Sequence, residues 1–449
     1  MRIAVFTDVF LEVPGGICSS IRAQRDGLVK CGHEVTIFCP GWKATKEHYA
    51  IVDGKVDEGV IIVPTHKWMK PGGAPLSKSP EAVQQFIETE LPNFGMNFDL
   101  VHVHYEASCS IAGMLLARKF GLGLIQTMHG REDMAVAMNT PYPFKTLVGA
   151  GLNYLHSRYL PHPVTVERDK MVGVGDDYVQ RGERGFDFGL APTIARAKMW
   201  TLMVNHANFA DAVITPSKHF ARKLRHYGMT TPVAVISNGV ADEMVKRFDE
   251  GGAKPREMGD DGVLRLLWNS RVSSEKRIMP MLEAVSLMKR PVSLSVFGDG
   301  NELKKAKRFV KKHRLDSRVK FYGRVSHDEI LEKMRDAHLS VMGSFGFDNQ
   351  SMILLEAEAT GLSTFFVDPD MAEVVPAAGA VNCVQELIRL GRWTPGRRTA
   401  PTAIEMAEVL DSLNDDRIKE MSEAMFKHRK EVLQSTQLEK LLKLYDSWC

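Results

Sequence analysis

Asp348-Asn-Gln-Ser-Met-Ile-Leu-Leu-Glu356 is the stretch that decides how this 449-residue chain folds and what it can bind. The run His338 to Met342 predicts a strand and Gln350 to Thr360 predicts a helix, so the stretch spans a strand-to-helix junction. The first helical turn offers backbone N–H groups that suit a phosphate. These N–H groups belong to Ser351, Met352 and Ile353. The flanking carboxylates suit hydroxyl ligands, although a carboxylate near a helix start is ordinarily a cap.

A second strand-to-helix junction carries cations. Val263 to Trp268 predicts a strand and Met279 to Met288 an amphipathic helix, with Arg271 and Lys276 in the turn between them. An Arg fork and a Lys point charge beside a helix N-terminus stabilise a diphosphate. We expect both side chains to face an open cleft.

A glycine pair lies near the N-terminus, in the stretch Val13-Pro-Gly-Gly-Ile-Cys-Ser-Ser20. It follows the first predicted strand and opens the first predicted helix, so the backbone N–H groups of Gly15 and Gly16 can approach a phosphate or a sugar. Pro-Gly-Gly is also a common plain turn. The stretch lacks Gly-x-Gly-x-x-Gly spacing, which disfavours an NAD-dependent oxidoreductase.

Taken in order, these segments resemble the retaining glycosyltransferases of family 4, which have the GT-B architecture. Asp348 and Glu356 stand at the family's Glu-x7-Glu, with Asp in the first position, and Arg271 and Lys276 stand at its Arg-x4-Lys. Three shorter stretches extend the resemblance: Asp211 to Ser217, Val235 to Val240, and Val296 to Gly300.

The resemblance implies a role for each matched residue. Glu356 is expected to bind the ribose hydroxyls, Asp348 the ring hydroxyls of the donor sugar, and His129 its exocyclic hydroxyl. Arg271 and Lys276 are expected to stabilise the leaving diphosphate, helped by backbone N–H groups. Those N–H groups belong to Gly16, Met352 and Ile353, while Gly298 and Val325 are expected to line the same pocket.

Short apolar strands alternate with helical patterns in both halves, which predicts two doubly wound, mostly parallel sheets. The predicted α/β fold is GT-B, with Rossmann-like domains at 1–240 for the acceptor and 241–430 for the nucleotide sugar. Residues 131–205 form a poorly matched insertion. The resemblance implies that a helix in 431–449 crosses back to the N-terminal domain. Strands are predicted at 2–7, 34–39, 59–63, 99–104, 122–127, 212–215, 233–236, 263–268, 292–297, 318–322, 338–342 and 363–367.

The apolar residues between Phe144 and Tyr159 recur at the spacing of one helical face. With Lys145 and Arg158 nearby, this helix fits an anionic membrane surface. A core helix of the N-terminal domain is the favoured interpretation. On the strand before this region, one of His102 and His104 is expected in the core and the other at the cleft. Glu132 and Asp133 are expected in a solvated loop.

Composition fits a soluble globular protein, with 44% hydrophobic and 25% charged residues and a formal net charge of +3. Such a mild charge does not call for nucleic acid. The six cysteines show no metal-ligand spacing, and the sequence shows no signal peptide and no long apolar run. These features predict a cytoplasmic protein with reduced thiols. If its acceptor is a lipid, the protein is expected at the inner face of the membrane.

No metal and no cofactor is expected. Asp368-Pro-Asp370 matches the Asp-x-Asp motif of the other glycosyltransferase fold, but it follows a predicted strand and reads as a turn. Arg271 and Lys276 are expected to neutralise the diphosphate in place of a metal ion.

The leading hypothesis is a retaining hexosyltransferase that moves glucose from UDP-glucose to a membrane lipid such as diacylglycerol. The alternatives are GDP-mannose as donor, a soluble acceptor, a sugar-nucleotide epimerase or phosphorylase on the same fold, and a non-catalytic nucleotide-binding protein.

Overall fold

The protein's structure, a computed structural model, describes residues 1–9, 16–52, 54–66, 75–140, 144–171, 190–394, 397 and 399–448. These residues form two compact units. The first unit contains the described residues up to 238 together with those from 434 onwards, and the second contains 239–433.

A mostly parallel sheet is the centre of the first unit. Its strands are β1 (Arg2–Thr7), β2 (Glu34–Cys39), β3 (Tyr49–Val52), β4 (Lys55–Ile62), β5 (Leu100–His104), β6 (Gly123–Thr127), β7 (Ala212–Thr215) and β8 (Val233–Val235). Within the described residues, the order is β3-β4-β2-β1-β5-β6-β7-β8. Because β1 pairs with β2 on one side and β5 on the other, the strand order reverses there. The carboxyl ends of β1 and β5 thus form the switch point at which sheets of this kind bind ligands.

Apolar clusters cover both faces of this sheet. Val5 and Phe6, adjacent on β1, belong to separate clusters because successive side chains point to opposite faces. Strands buried on both faces are continuous apolar runs, which is why the sequence predicted them well. The helices of this unit are α1 (Gly16–Lys30), α2 (Pro80–Glu90), α3 (Phe94–Asn97), α4 (Ser108–Phe120), α5 (Glu132–Asn139), α6 (Lys145–Ser157), α7 (Leu190–Phe209) and α8 (Lys218–His226).

The second unit repeats the scheme. Its strands are β9 (Leu264–Asn269), β10 (Val292–Phe297), β11 (Val319–Gly323), β12 (Leu339–Met342), β13 (Ser363–Phe366) and β14 (Ala380–Asn382). Its helices are α9 (Asp242–Glu250), α10 (Ile278–Leu287), α11 (Leu303–Lys312), α12 (His327–Asp336), α13 (Met352–Ala359), α14 (Cys383–Arg389), α15 (Ala403–Asp411) and α16 (Asp415–His428). The sheet order among the described strands is β11-β10-β9-β12-β13-β14. Since β9 lies between β10 and β12 in parallel, the loops after these three strands emerge side by side.

The last helix, α17 (Gln434–Tyr445), returns to the first unit. A Cβ at Gly27 of α1 would lie 3.0 Å from Leu438, so glycine lets the two helices pack closely. The Tyr445 hydroxyl lies 2.6 Å from Nδ1 of His102 on β5. The chain therefore ends on the unit in which it begins, as the resemblance implied.

The predicted fold class is confirmed, and most predicted strands agree with the structure to within two residues. Two strands were missed, β3 with four residues and β14 with three. Both lie at sheet edges and are too short to show a periodic pattern. The strand predicted at 59–63 begins earlier, at Lys55.

The interpretation of residues 144–159 as a core helix is wrong. On its covered side, α6 packs against α7 through Gly149, where a Cβ would lie 3.0 Å from the Ala195 carbonyl, and through buried His156. Its apolar side chains face outward, with Leu147 70% and Tyr154 66% exposed. The periodicity located the apolar face, but only the tertiary structure shows that nothing in the described chain covers it. No helix among the described residues combines the length and apolar character needed to cross a bilayer.

A buried carboxyl on α13 makes the stability of the fold depend on pH. Glu358 is buried, and its Oε2 has no hydrogen-bond partner among the described residues. Burial, and secondly the charge of Glu431, raises its pKa to about 8. Because the folded state holds this proton more tightly than the unfolded chain does, stability is lost as pH rises from about 4.5 to 8.

We predict that Glu358→Gln increases the free energy of unfolding by about 2 to 5 kcal/mol at about pH 9 and changes it little at about pH 4.5. Urea unfolding at both pH values measures this difference. The matched control is Glu420→Gln, at an exposed position of α16, which should change stability at neither pH. An equal gain at both pH values would contradict the assignment.

Candidate active site

Lys276 and Asp348 form an ion pair at the carboxyl edge of the second sheet. Nζ of Lys276 lies 2.6 and 2.9 Å from the two carboxylate oxygens of Asp348. Lys276 ends a short 3-10 turn after β9, and Asp348 follows β12, the neighbour of β9. The structure thus brings the two junctions together. The expectation of an open position is wrong for Lys276, because its side chain is only 12% exposed.

Arg271 is the more accessible of the two cations. Its side chain is 66% exposed, and its Nη2 lies 2.9 Å from a carboxylate oxygen of Glu275. The Ser273 hydroxyl donates a 2.6 Å hydrogen bond to the same carboxylate oxygen. Glu275 therefore orients the guanidinium, while most of its five N–H donors stay available to a ligand.

The start of α13 supplies backbone donors in the loop that carries Asp348. Ser351 is the N-cap residue, and its carbonyl accepts a 3.1 Å hydrogen bond from the N–H of Leu354. The N–H groups of Met352 and Ile353 come first in this helix, where no described residue accepts from them. Because the positive end of the helix dipole lies there too, this end of α13 suits a phosphate.

Glu356 lies one turn further along α13 and points towards β9. Its Oε2 accepts a 3.4 Å hydrogen bond from the side-chain amide of Asn269, the last residue of β9. Asn269 and Glu275 were missed by the sequence analysis. The i,i+4 spacing of Arg271 and Glu275 was the available signal for the second of them.

Gly298 closes the neighbouring loop, after β10. Its φ is +123°, and a Cβ would lie 2.1 Å from the Ser270 carbonyl oxygen, so only glycine fits. Its N–H donates to the carbonyl of Gly323 at 2.7 Å, which joins the ends of β10 and β11. Val325 is half-buried and packs against an apolar cluster, so it offers a ligand mainly its backbone.

Asp368 has a structural position. It is 1% exposed, and its carboxylate accepts hydrogen bonds from the backbone N–H groups of Gly346, at 2.7 Å, and Asp370, at 3.1 Å. It caps the short 3-10 helix Pro369–Glu373. The turn predicted for Asp368-Pro-Asp370 is therefore present.

His129 lies in the first unit, just after β6. Its Nε2 is 2.8 Å from Nδ1 of His104, and burial lowers its pKa to about 4. His129 is therefore a neutral imidazole at pH 7, suited to a hydroxyl rather than to a phosphate. His102 and His104 are both buried, so the expectation that one lines a cleft is wrong. Because β-strand side chains repeat every second residue, the two share one face.

Gly16 and Asp133 are two further residues of the first unit for which the sequence led to an expectation. Gly16 is exposed and is the first residue of α1, whereas Gly15 lies outside the described residues. Asp133 is not in a solvated loop, because it is fully buried on α5 and paired with Arg131 at 2.8 Å and Arg196 at 3.0 Å. These cations outweigh burial and lower the pKa of Asp133 far below its usual value.

The protein has two units built on mostly parallel sheets, and the second unit carries cations, carboxylates and a helix N-terminus at one sheet edge. This combination is typical of the GT-B glycosyltransferases. Residues 15–239, half of the chain, match the family described as glycosyl transferase 4-like domain, and residues 260–382 match glycosyl transferases group 1. The chain belongs to the glycosyl transferase 4-like family and is a glycosyltransferase.

Two relatives of known name are similar to this chain. The chain is 25% identical over 377 residues to an alpha-monoglucosyldiacylglycerol synthase of Streptococcus pneumoniae, covering 80% of this chain and 70% of that protein. A synthase of the same name from Acholeplasma laidlawii is 26% identical over 132 residues, which are 29% of this chain and 30% of the relative. Among solved structures, HepE of Anabaena in complex with UDP superposes with a TM-score of 0.61 at 14% identity over the full length of both chains, which shows a shared fold.

The difference in exposure between the two cations leads to a prediction about stability. Lys276→Met leaves the largely buried Asp348 carboxylate without its partner, so we expect the free energy of unfolding to fall by about 1 to 3 kcal/mol. Arg271→Ala removes a mostly exposed side chain and should change it by less than about 0.5 kcal/mol. Urea unfolding of the ligand-free protein measures both.

The double variant Lys276→Met/Asp348→Asn is the control. It removes both charges and should recover part of the lost stability, because no carboxylate is left unpaired. Equal stability of Lys276→Met and Arg271→Ala would show that the ion pair contributes nothing to the free energy of unfolding.

Proposed function

We propose that this glycosyltransferase transfers glucose from UDP-glucose to the hydroxyl of a membrane lipid such as diacylglycerol, with retention of anomeric configuration. One observation carries the donor part: two cations and a helix N-terminus meet at the carboxyl edge of the second sheet. The names of the relatives support the glucosyl group, the lipid acceptor and the alpha linkage. An alpha product from an α-linked donor requires retention.

The proposed donor site divides its work between charges and backbone. Arg271 and the N–H groups of Met352 and Ile353 bind the diphosphate and stabilise the charge that develops when it leaves. Lys276 adds a second positive charge and fixes Asp348, whose carboxylate receives hydroxyls of the sugar. Glu356 receives the ribose hydroxyls, and the side-chain amide of Asn269 at the end of β9 donates a 3.4 Å hydrogen bond to its carboxylate.

The leaving group needs no metal ion in this proposal, because protein cations and backbone donors neutralise it. The neutral His129 of the first unit would contact the exocyclic hydroxyl of the sugar. A neutral imidazole both donates and accepts a hydrogen bond, as such a contact requires.

The outer face of α6 supports a lipid acceptor. Leu147, Tyr154 and other large apolar side chains are exposed on it, and a contiguous apolar patch is typical of an interaction surface. The sequence has no acidic residue between Asp133 and Glu167, while Lys145 and Arg158 flank the helix. An apolar face with cations and without acids fits the interface of an anionic membrane. We therefore place the enzyme at the cytoplasmic face of a membrane as a peripheral protein.

We predict that Arg271→Ala and Lys276→Ala each lower kcat/KM by about two orders of magnitude or more, because each removes a stabilising charge at the leaving group. The assay is release of UDP from UDP-glucose in mixed micelles of detergent and diacylglycerol. The control Lys307→Ala, an exposed cation on α11, should behave like the wild type.

The same assay in excess EDTA examines the metal-free part of the proposal, and activity should persist. Wild-type turnover in the Arg271→Ala or Lys276→Ala variant would contradict the proposal that these two residues bind the diphosphate. Loss of activity on chelation, restored by magnesium or manganese, would contradict the metal-free reaction alone.

A further prediction concerns the membrane. The wild type should co-sediment with vesicles that contain anionic lipid and be released by salt, which screens surface charge within a Debye length of about 10 Å at 0.1 M. The double variant Phe144→Ser/Leu147→Ser should bind vesicles more weakly with little change in stability, because both side chains are more than half exposed.

The matched control is Ile388→Ser/Ile404→Ser, which removes two exposed apolar side chains from the second unit. It should bind vesicles like the wild type. A wild type that does not sediment with vesicles would contradict membrane contact and favour a soluble acceptor.

A further inference from the structure

A buried carboxyl without a partner lies at the switch point of the first sheet. Glu106 follows β5, the strand that pairs with β1 where the strand order reverses. It is 7% exposed, and among the described residues neither of its carboxyl oxygens has a hydrogen-bond partner. Buried polar groups are nearly always hydrogen-bonded, so such a group at a ligand-binding position calls for an explanation.

Glu106 is surrounded by other carboxyls rather than by cations. Burial, and then the charges of Glu132 and Asp8, raise its pKa well above the usual range. Glu132 is half-buried on α5 after β6, and burial raises its pKa to about 7, although a hydrogen bond with the Tyr105 side chain opposes the shift. Burial therefore favours the protonated form of both carboxyls.

The third carboxyl, Asp8, is fully used within the protein. Its oxygens accept hydrogen bonds from the Ser77 hydroxyl and from the backbone N–H groups at the start of α4. Those N–H groups belong to Ala107, Cys109 and Ser110. Asp8 thus fixes the loop that carries Glu106 and is not available to a ligand.

The backbone at this point is strained. Tyr105, between β5 and Glu106, has φ +121°, a conformation that residues with a side chain rarely adopt. Such strain is found most often at functional sites, where the surrounding structure maintains it. Here it turns the chain at the end of β5, immediately before Glu106 enters the carboxyl cluster.

The chemistry of the pair identifies the kind of ligand. A metal ion requires ionised carboxylates, and the described residues contain no group of His, Cys, Asp and Glu able to hold one. A protonated carboxyl both donates and accepts a hydrogen bond, and an alcohol does the same. Glu132 is half-buried whereas Glu106 is buried, so Glu132 is the more accessible of the two carboxyls to a hydroxyl group.

We propose that Glu106 and Glu132 form the site that recognises the hydroxyl group of the acceptor. This inference rests on the proposed transfer of glucose to a hydroxyl and adds the residues that bind that hydroxyl. It also explains why the first unit keeps a buried carboxyl without an internal partner.

The test compares Glu106→Leu with Glu106→Gln. Leucine fills the space without hydrogen bonds, and glutamine keeps one donor and one acceptor. The KM for dioctanoylglycerol in detergent micelles, the KM for UDP-glucose, the hydrolysis of UDP-glucose without acceptor, and the thermal midpoint are measured for each.

For Glu106→Leu we expect the acceptor KM to rise about tenfold or more, with the donor KM and donor hydrolysis unchanged. The thermal midpoint should rise by about 2 °C or more, because a buried carboxyl without a partner is replaced by an apolar group. Glu106→Gln should keep most of the acceptor affinity. A structural role alone would change the thermal midpoint and leave the acceptor KM as it is.

Glu132→Ala, at a half-buried position, removes the second carboxyl and gives a measurement that does not depend on how the core tolerates leucine. Its acceptor KM should also rise, whereas Glu132→Gln should keep most of the acceptor affinity. Wild-type transfer with an unchanged acceptor KM in the Glu106→Leu or Glu132→Ala variant would overturn the inference and leave the proposed function intact. A wild type that transfers glucose to no hydroxyl acceptor would overturn both.

Discussion

The ion pair between Lys276 and Asp348 determines how the second unit presents its binding groups. It joins two loops whose residues are 72 positions apart in the chain, because β9 and β12 pair in parallel and their loops leave the sheet at the same edge. A charge this far from solvent is costly when it is alone and tolerable when it is paired. The pair therefore allows a cation to stand beside the start of α13, and it leaves the more exposed Arg271 in contact with solvent.

The first unit treats its polar residues differently at the equivalent sheet edge. Where the second unit pairs opposite charges, the first disfavours charge, because burial lowers the pKa of His104 and of His129 and raises the pKa of Glu106 and of Glu132. Asp133 pairs with two arginines inside the unit. Neutral donors and acceptors suit hydroxyl groups, and cations beside a helix N-terminus suit a diphosphate. The two units are thus chemically matched to the two substrates of the proposed transfer.

The sequence predicted the parts of this arrangement that depend on local pattern. Buried parallel strands are continuous apolar runs, so β1 and β10 could be predicted with their observed bounds. Spacing likewise identified the two loops that the structure brings together at one sheet edge. It could not show that Lys276 is covered, because this depends on the pairing of β9 with β12. The proposed role of Glu106 has no motif, and its only sequence signal was an acidic residue directly after a strand that is buried throughout.

The exposed face of α6 and the carboxyl of Glu106 share one physical character. Among the described residues, nothing covers the first and nothing hydrogen-bonds the second, and each such gap lowers the stability of the isolated protein. A ligand that supplies the missing contact would recover this stability, a bilayer for the apolar face and a hydroxyl for the carboxyl. A lipid alcohol at a membrane surface supplies both, since its acyl chains lie in the apolar phase and its hydroxyl at the interface. Both features belong to the first unit, so a lipid acceptor would bind to that unit, whatever the second unit binds.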